Sequence, residues 1–240
     1  MSHSYDFTSE NFIPEFIGTA LLDTIGLVIP SIDEGLKEKM GLSQDIRSLG
    51  LLSSRTGAAG QILAIDEAVK ATSCRIVSIE LPRDTKGWGG HGNFIIIGAS
   101  TVSDARRGIE LALELTNKYA GELYISDAGH LEFAFSARAG EALELGFNAR
   151  RDMAFGFFCG SPAAIGLVMA DYALKSAQVE ILSYASPTKG TSHSNEVIVT
   201  VFGKASAVKT SVITARTIGL SLLNSMGSEA KSPSVPYLTE

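Results

Sequence analysis

The chain states its own architecture once and then repeats it, and this constrains the fold more than any other feature. AAGQILAIDEAVKATSCRIVSIELP, beginning at Ala58, returns as AAIGLVMADYALKSAQVEILSYASP, beginning at Ala163, an offset of 105 residues. Within the match Asp66 aligns with Asp171, Ala68 with Ala173, Lys70 with Lys175, Ile76 with Ile181 and Pro82 with Pro187. Further on Gly98 aligns with Gly203, and upstream SLGLLSSRTG pairs with AFGFFCGSPA at nearly the same shift. A long period seen twice denotes a duplicated domain, not a solenoid of short repeats. The expected division is 14–125 for the first domain and 126–227 for the second, with 1–13 and 228–240 as surface extensions.

Each copy carries the same order of signals. Residues 25–29 form a short apolar strand, residues 32–40 a helix that Gly41 ends, and residues 47–53 a second strand. A helix over 58–72 places Ala58, Ile62, Ile65 and Val69 in a stripe, which the second copy repeats as Ala163, Leu167, Ala170 and Leu174. Over 75–81 Val77, Ile79 and Leu81 alternate with Ser78 and Glu80, the period of a half-buried strand. A glycine-rich loop leads from there into the apolar strand at 94–97 and a helix over 103–119. The second copy closes with a helix over 206–226, with Val208, Val212, Ala215 and Leu222 on one side. The expected fold class is α+β, a mainly antiparallel sheet with helices packed on one face, twice over.

Composition removes several functions. The chain is 45% hydrophobic and 19% charged, with a net charge of −6 and no Lys/Arg cluster, so nucleic acid is not an expected partner. The most apolar stretch, 155–174, is broken by Pro162 and Asp171 and reads as strand, turn and helix, not as a membrane span. MSHSYDFTSENFIPEF has neither a basic start nor an apolar centre, so no signal peptide is expected. Cys74 and Cys159 lie in apolar-rich segments outside any metal motif and are expected as buried free thiols.

The stretch PRDTKGWGGHG could grip a phosphate only if it opened a helix, but it opens a strand, so no nucleotide or other cofactor is expected. The histidines His3, His91, His130 and His193 sit at no metal-ligand spacing, and no metal is expected. G-x-S-x-G is absent and no nucleophilic constellation stands out, so the chain does not read as an enzyme. The pairs Asp66–Lys70 and Asp171–Lys175 have helical i,i+4 spacing. They fit surface ion pairs, or lysines laid across a subunit edge, and the residues alone leave both open.

These residues resemble a known family. Repeat units of the form LG, D-A-x-x-K, valine, then a glycine loop and an apolar strand ending in glycine are similar to the bacterial microcompartment shell domain, although the pattern here is D-E-A-V-K and D-Y-A-L-K. Two domains in one chain resemble its tandem-domain, trimer-forming members. DEAVKAT, SIELPRDTKG, GGHG and SPTKGTSHSNE resemble the propanediol- and ethanol-utilisation types, over about residues 14 to 237. VIPSIDEGL is similar to a segment from the C-terminal end of single-domain members, which implies circularly permuted domains.

The resemblance implies a homotrimer whose six domains mimic a hexagon. It would tile the facets of a protein-walled compartment in the cytoplasm, edge to edge with hexameric shell proteins, and touch encapsulated enzymes. It implies tile-edge roles for Lys70 and Lys175. It further implies that the loops line pores for small polyols, alcohols or aldehydes. In the first copy these are Asp84, Thr85, Lys86, Gly87, Trp88, Gly89, Gly90, His91 and Gly92. In the second they are Thr188, Lys189, Gly190, Thr191, Ser192, His193, Ser194, Asn195 and Glu196. Trp88 departs from the small residue usual in such loops and would narrow a passage. On the residues alone, a ferredoxin-like module that binds a small regulator is the competing expectation.

Overall fold

A computed structural model describes residues 15–82 and 92–239. Among them, two five-stranded antiparallel sheets follow one another along the chain. The first is built from β1 (Phe16–Ala20), β2 (Thr24–Ile29), β3 (Ser48–Ser54), β4 (Arg75–Glu80) and β5 (Asn93–Ala99), in the order β1-β2-β3-β5-β4. The second repeats that order with β6 (Leu123–Ser126), β7 (Gly129–Ser136), β8 (Ala154–Ser161), β9 (Val179–Ala185) and β10 (Val197–Gly203), as β6-β7-β8-β10-β9. The helices also correspond: α1 (Glu34–Lys39) with α4 (Glu141–Phe147), α2 (Ala59–Lys70) with α5 (Ala163–Ser176), and α3 (Val102–Tyr119) with α6 (Ala205–Asn224). The expected α+β class holds in both halves.

The strand that reads as continuously apolar owes this to burial on both faces. In β5, Ile95 and Ile97 join the core under α2 and α3, while Ile96 packs on the opposite face with Ile32, Ile46 and Leu49. Glycine sets how closely the long helices lie on the sheets. A Cβ on Gly50 would come within 2.7 Å of Ile109 on α3, and one on Gly156 within 2.8 Å of Val212 on α6. These two glycines align in the repeat, so each sheet has kept the same bare spot beneath its covering helix.

Three expectations need correction. The edge strand β1 was not anticipated, because FIGTA is short and its side chains are exposed or half-buried. The stripe read on the second copy's helix is rotated: Ile165, Met169, Ala170 and Ala173 face the core, while Leu167 is 53% exposed. The tail after residue 227 is docked on the molecule and not a loose extension. Lys231 bridges to Ile125, the Tyr237 hydroxyl accepts from the Phe135 N–H, and the Leu238 N–H donates to buried Glu122. That carboxylate also holds Arg216 at 2.9 Å. Burial raises the Glu122 pKa, a rise that the Leu238 N–H and Arg216 partly offset.

Candidate functional site

The two halves meet through one short helix. α4 of the second half packs on α2 and β4 of the first. Leu143 enters the core shared with Ile62 and Ile65, and all three are at most 1% exposed. The fit is close: a Cβ on Gly146 would sit 3.0 Å from Ile62 and 3.6 Å from Ile79. Helix α4 starts at Gly140, which has no side chain to cap it, so the cap arrives from the other half. Asp66, with a wholly buried side chain, accepts from the N–H groups of Gly140, Ala142 and Leu143 at 3.0–3.3 Å. A carboxylate against free N–H groups at a helix start is favourable in both charge and hydrogen bonding.

The same places in the other copies are uncovered. α1 matches α4 residue for residue: Leu36 stands where Leu143 does, Met40 where Phe147 does, and Gly41 and Asn148 both turn left-handed with φ of 65° and 56°. Yet Leu36 is 48% and Met40 36% exposed. On the receiving side Leu167, Val168 and Tyr184 stand where Ile62, Leu63 and Ile79 do, and they are 53%, 42% and 42% exposed. The chain therefore carries a buried knob and socket, and an exposed copy of each.

Lys70 lies at this junction. Its Nζ reaches Glu67 at 2.7 Å, Asp66 at 3.2 Å and the Arg138 carbonyl at 3.2 Å. Its expected surface pairing with Asp66 is thus corrected, since Asp66 is interior. Lys175 does form an exposed pair, 2.6 Å from Asp171.

Of the first glycine loop, Asp84, Thr85, Lys86, Gly87, Trp88, Gly89, Gly90 and His91 lie outside the described residues. Gly92 is described, with φ of 76°, and a Cβ there would run into the Ser54 carbonyl at 2.5 Å. The second loop is a compact turn. Ser186 and Lys189 exchange backbone hydrogen bonds of 2.7 and 2.8 Å, and the His193 N–H donates to the Pro187 carbonyl. Gly190, Ser192 and His193 have positive φ. Thr191 and Glu196 are buried within this chain. Asn195 accepts from the Ala163 N–H at the start of α5. Thr188, Lys189, Gly190, Ser192, His193 and Asn195 are exposed, with Ser194 half-buried.

The model of the BMC domain family matches twice, over residues 48–128 and 154–231. The chain belongs to the bacterial microcompartment shell proteins. It is 50% identical to the shell protein PduB of Citrobacter freundii over 94% of this chain and 84% of that protein. With PduB of Limosilactobacillus reuteri it shares 46% identity, over 96% and 97% of the two chains. Among solved structures, EtuB from Clostridium kluyveri superposes with a TM-score of 0.90 at 48% identity, covering 94% and 99%. A trimeric PduB shell protein superposes with a TM-score of 0.88 at 46% identity, covering 94% and 100%. Two shell domains, each a five-stranded antiparallel sheet with helices, make this a structural shell protein.

Sequence reading missed the exposed knob and socket. The offset of 105 aligns Ile62 with Leu167, but burial of one and exposure of the other has no signal in residue type. It also missed a buried group of His130, Cys159 and Glu196, whose members are 29 to 66 residues apart in the chain.

Proposed function

We propose that three copies of this shell protein close into a ring of six domains, with α1 of one chain seated on α5 and β9 of the next. The observation that carries this is the contrast between Ile62, wholly buried under α4, and Leu167, 53% exposed at the same place in the second domain. Repeating the internal junction between chains buries the exposed apolar pair Leu36 and Leu167. The trimer described for PduB supports the count of three. Circular permutation is part of the proposal: each family match begins at the third strand of its sheet, after two strands and a short helix. A division between two domains belongs with it, because the two sheets share no strand; it falls ahead of β6 (Leu123–Ser126), and the expected boundary at 125 and 126 would cut that strand.

In this reading the ring is a tile for compartment facets. Lys70 and Lys175 lie toward its edges, against other shell proteins and, on the inner face, encapsulated enzymes. The exposed hydroxyls, backbone groups and Lys189 of the second loop suit hydrogen bonding to small neutral polyols, alcohols or aldehydes. Trp88 would form an apolar wall in the corresponding first loop. The names of the relatives support a propanediol or ethanol pathway.

The test is the mass of the full chain in solution at micromolar concentration, by light scattering. The expected result is a trimer for the wild type and a folded monomer for Leu167→Glu. A monomeric wild type overturns the proposal.

A further inference from the structure

In the second domain three side chains of different chemistry converge in the interior. His130 comes from β7, Cys159 from β8 and Glu196 from the end of the loop before β10. They are 6%, 2% and 1% exposed. His130 Nε2 lies 3.2 Å from Glu196 Oε2, Cys159 Sγ 3.6 Å from the same oxygen, and Sγ 4.0 Å from Nε2. His130 Nδ1 is buried without a hydrogen-bond partner among the described residues.

We propose that His130, Cys159 and Glu196 bind one transition-metal ion of the zinc class and thereby tie the second loop to the sheet. Zinc bonded to sulfur, nitrogen and oxygen at its usual lengths has tetrahedral edges of about 3.4–3.6 Å. The three separations already bracket those edges, so small side-chain rotations would complete the site. Imidazole, thiolate and carboxylate are the donors such an ion takes. The remaining position opens toward a cavity of about 40 Å³ between Ala58, Glu132, Phe147 and Phe157. That is room for one water.

The duplication supplies an internal comparison. Strand register puts Ser53 opposite Phe94 in the first domain, where Cys159 stands opposite Ile198 in the second. There the first domain holds a neutral contact, the Ser53 hydroxyl donating to the Asn93 carbonyl at 2.8 Å. At that position the second domain has a thiol where the first has a hydroxyl. Among the described residues the Cys159 thiol lies with the His130 imidazole and the Glu196 carboxylate, and Glu132, which accepts from the Ala58 and Ala59 N–H groups, lines the same cavity. Burial, followed by the charges of Glu196 and Glu132, holds the Cys159 thiol well above its ordinary range. A divalent cation reverses that balance.

The test uses the full chain, produced without a polyhistidine tag and stripped with a chelator. Zinc is measured by mass spectrometry after reloading and dialysis, and cobalt(II) is titrated as a spectroscopic probe. The expected result is one equivalent of zinc per chain and a thiolate-to-cobalt charge-transfer band. Cys159→Ser should lose the band and weaken zinc binding by about tenfold or more, while Cys74→Ser and His193→Ala keep both. A wild-type chain that retains no zinc and shows no such band overturns the proposal, whatever the variants do. So does a band that survives Cys159→Ser. These readouts do not depend on ring assembly, so they separate this inference from the proposed trimer.

Discussion

Asp66 and Asp171 occupy one place in the repeat, each four residues before a lysine, and the pairs cannot be told apart in the sequence. In the structure Asp66 is an interior cap for another helix, while Asp171 is a surface partner of Lys175 with 56% of its side chain exposed. Spacing revealed the ion pairs but not the partner that arrives from 74 residues away. Asp66→Ala should leave three N–H groups of α4 without an acceptor and lower stability by about 2–3 kcal/mol. Urea unfolding should show Asp171→Ala nearly unchanged, within a few tenths of a kcal/mol. The lysines divide the same way. Lys175→Ala should leave unfolding unchanged and reduce the lateral packing of tiles seen by electron microscopy. Lys70→Ala should also lower stability, since Lys70 Nζ joins Glu67, Asp66 and Arg138. Equal unfolding curves for the two lysine variants would contradict this division.

Helices and central strands were legible because their periodicity reflects burial that the chain itself provides. β5 is legible as an apolar strand from FIII, and α6 from the spacing of Val208, Val212 and Ala215. Elements that borrow their burial were not. β1 is five residues long with no buried side chain, and Leu167 on α5 has the type of a core residue although it stands exposed in the single chain. Helix α4 shows how much one short element contributes. Leu143→Ala removes the knob from the junction and should cost about 2–5 kcal/mol in chemical denaturation. A loss below 1 kcal/mol, within the uncertainty of a surface change, would show that the two domains do not depend on this seam.

At the scale of the molecule, duplication, fold class and family were all present in the sequence, because an offset match needs no knowledge of contacts. The docking of the tail was not, since SPSVPYL has the composition of a loose end. That tail brings Tyr237 edge-on to Tyr119, with ring centres 4.9 Å apart. Burial raises Tyr119 and Tyr124 to about 12 from an ordinary value of 10.0. Folded pKa values above the unfolded ones mean that the unfolded chain loses these protons first. Their contribution to stability is full below pH 10 and is lost as the pH climbs toward about 12. The melting temperature should therefore fall across that window, and Tyr119→Phe should flatten the fall. A wild-type melting temperature that stays level to pH 11 would refute this.

The two aligned loops, one holding Trp88 and the other Ser192 and His193, have a genetic consequence in the proposed ring. A six-domain ring made from one short gene must change all six loops at once whenever a codon changes. A gene that encodes both domains writes each substitution only three times, at alternating positions. One set of loops is then free to drift in size and polarity while the other keeps an inherited function, and selection can tune the two sets separately.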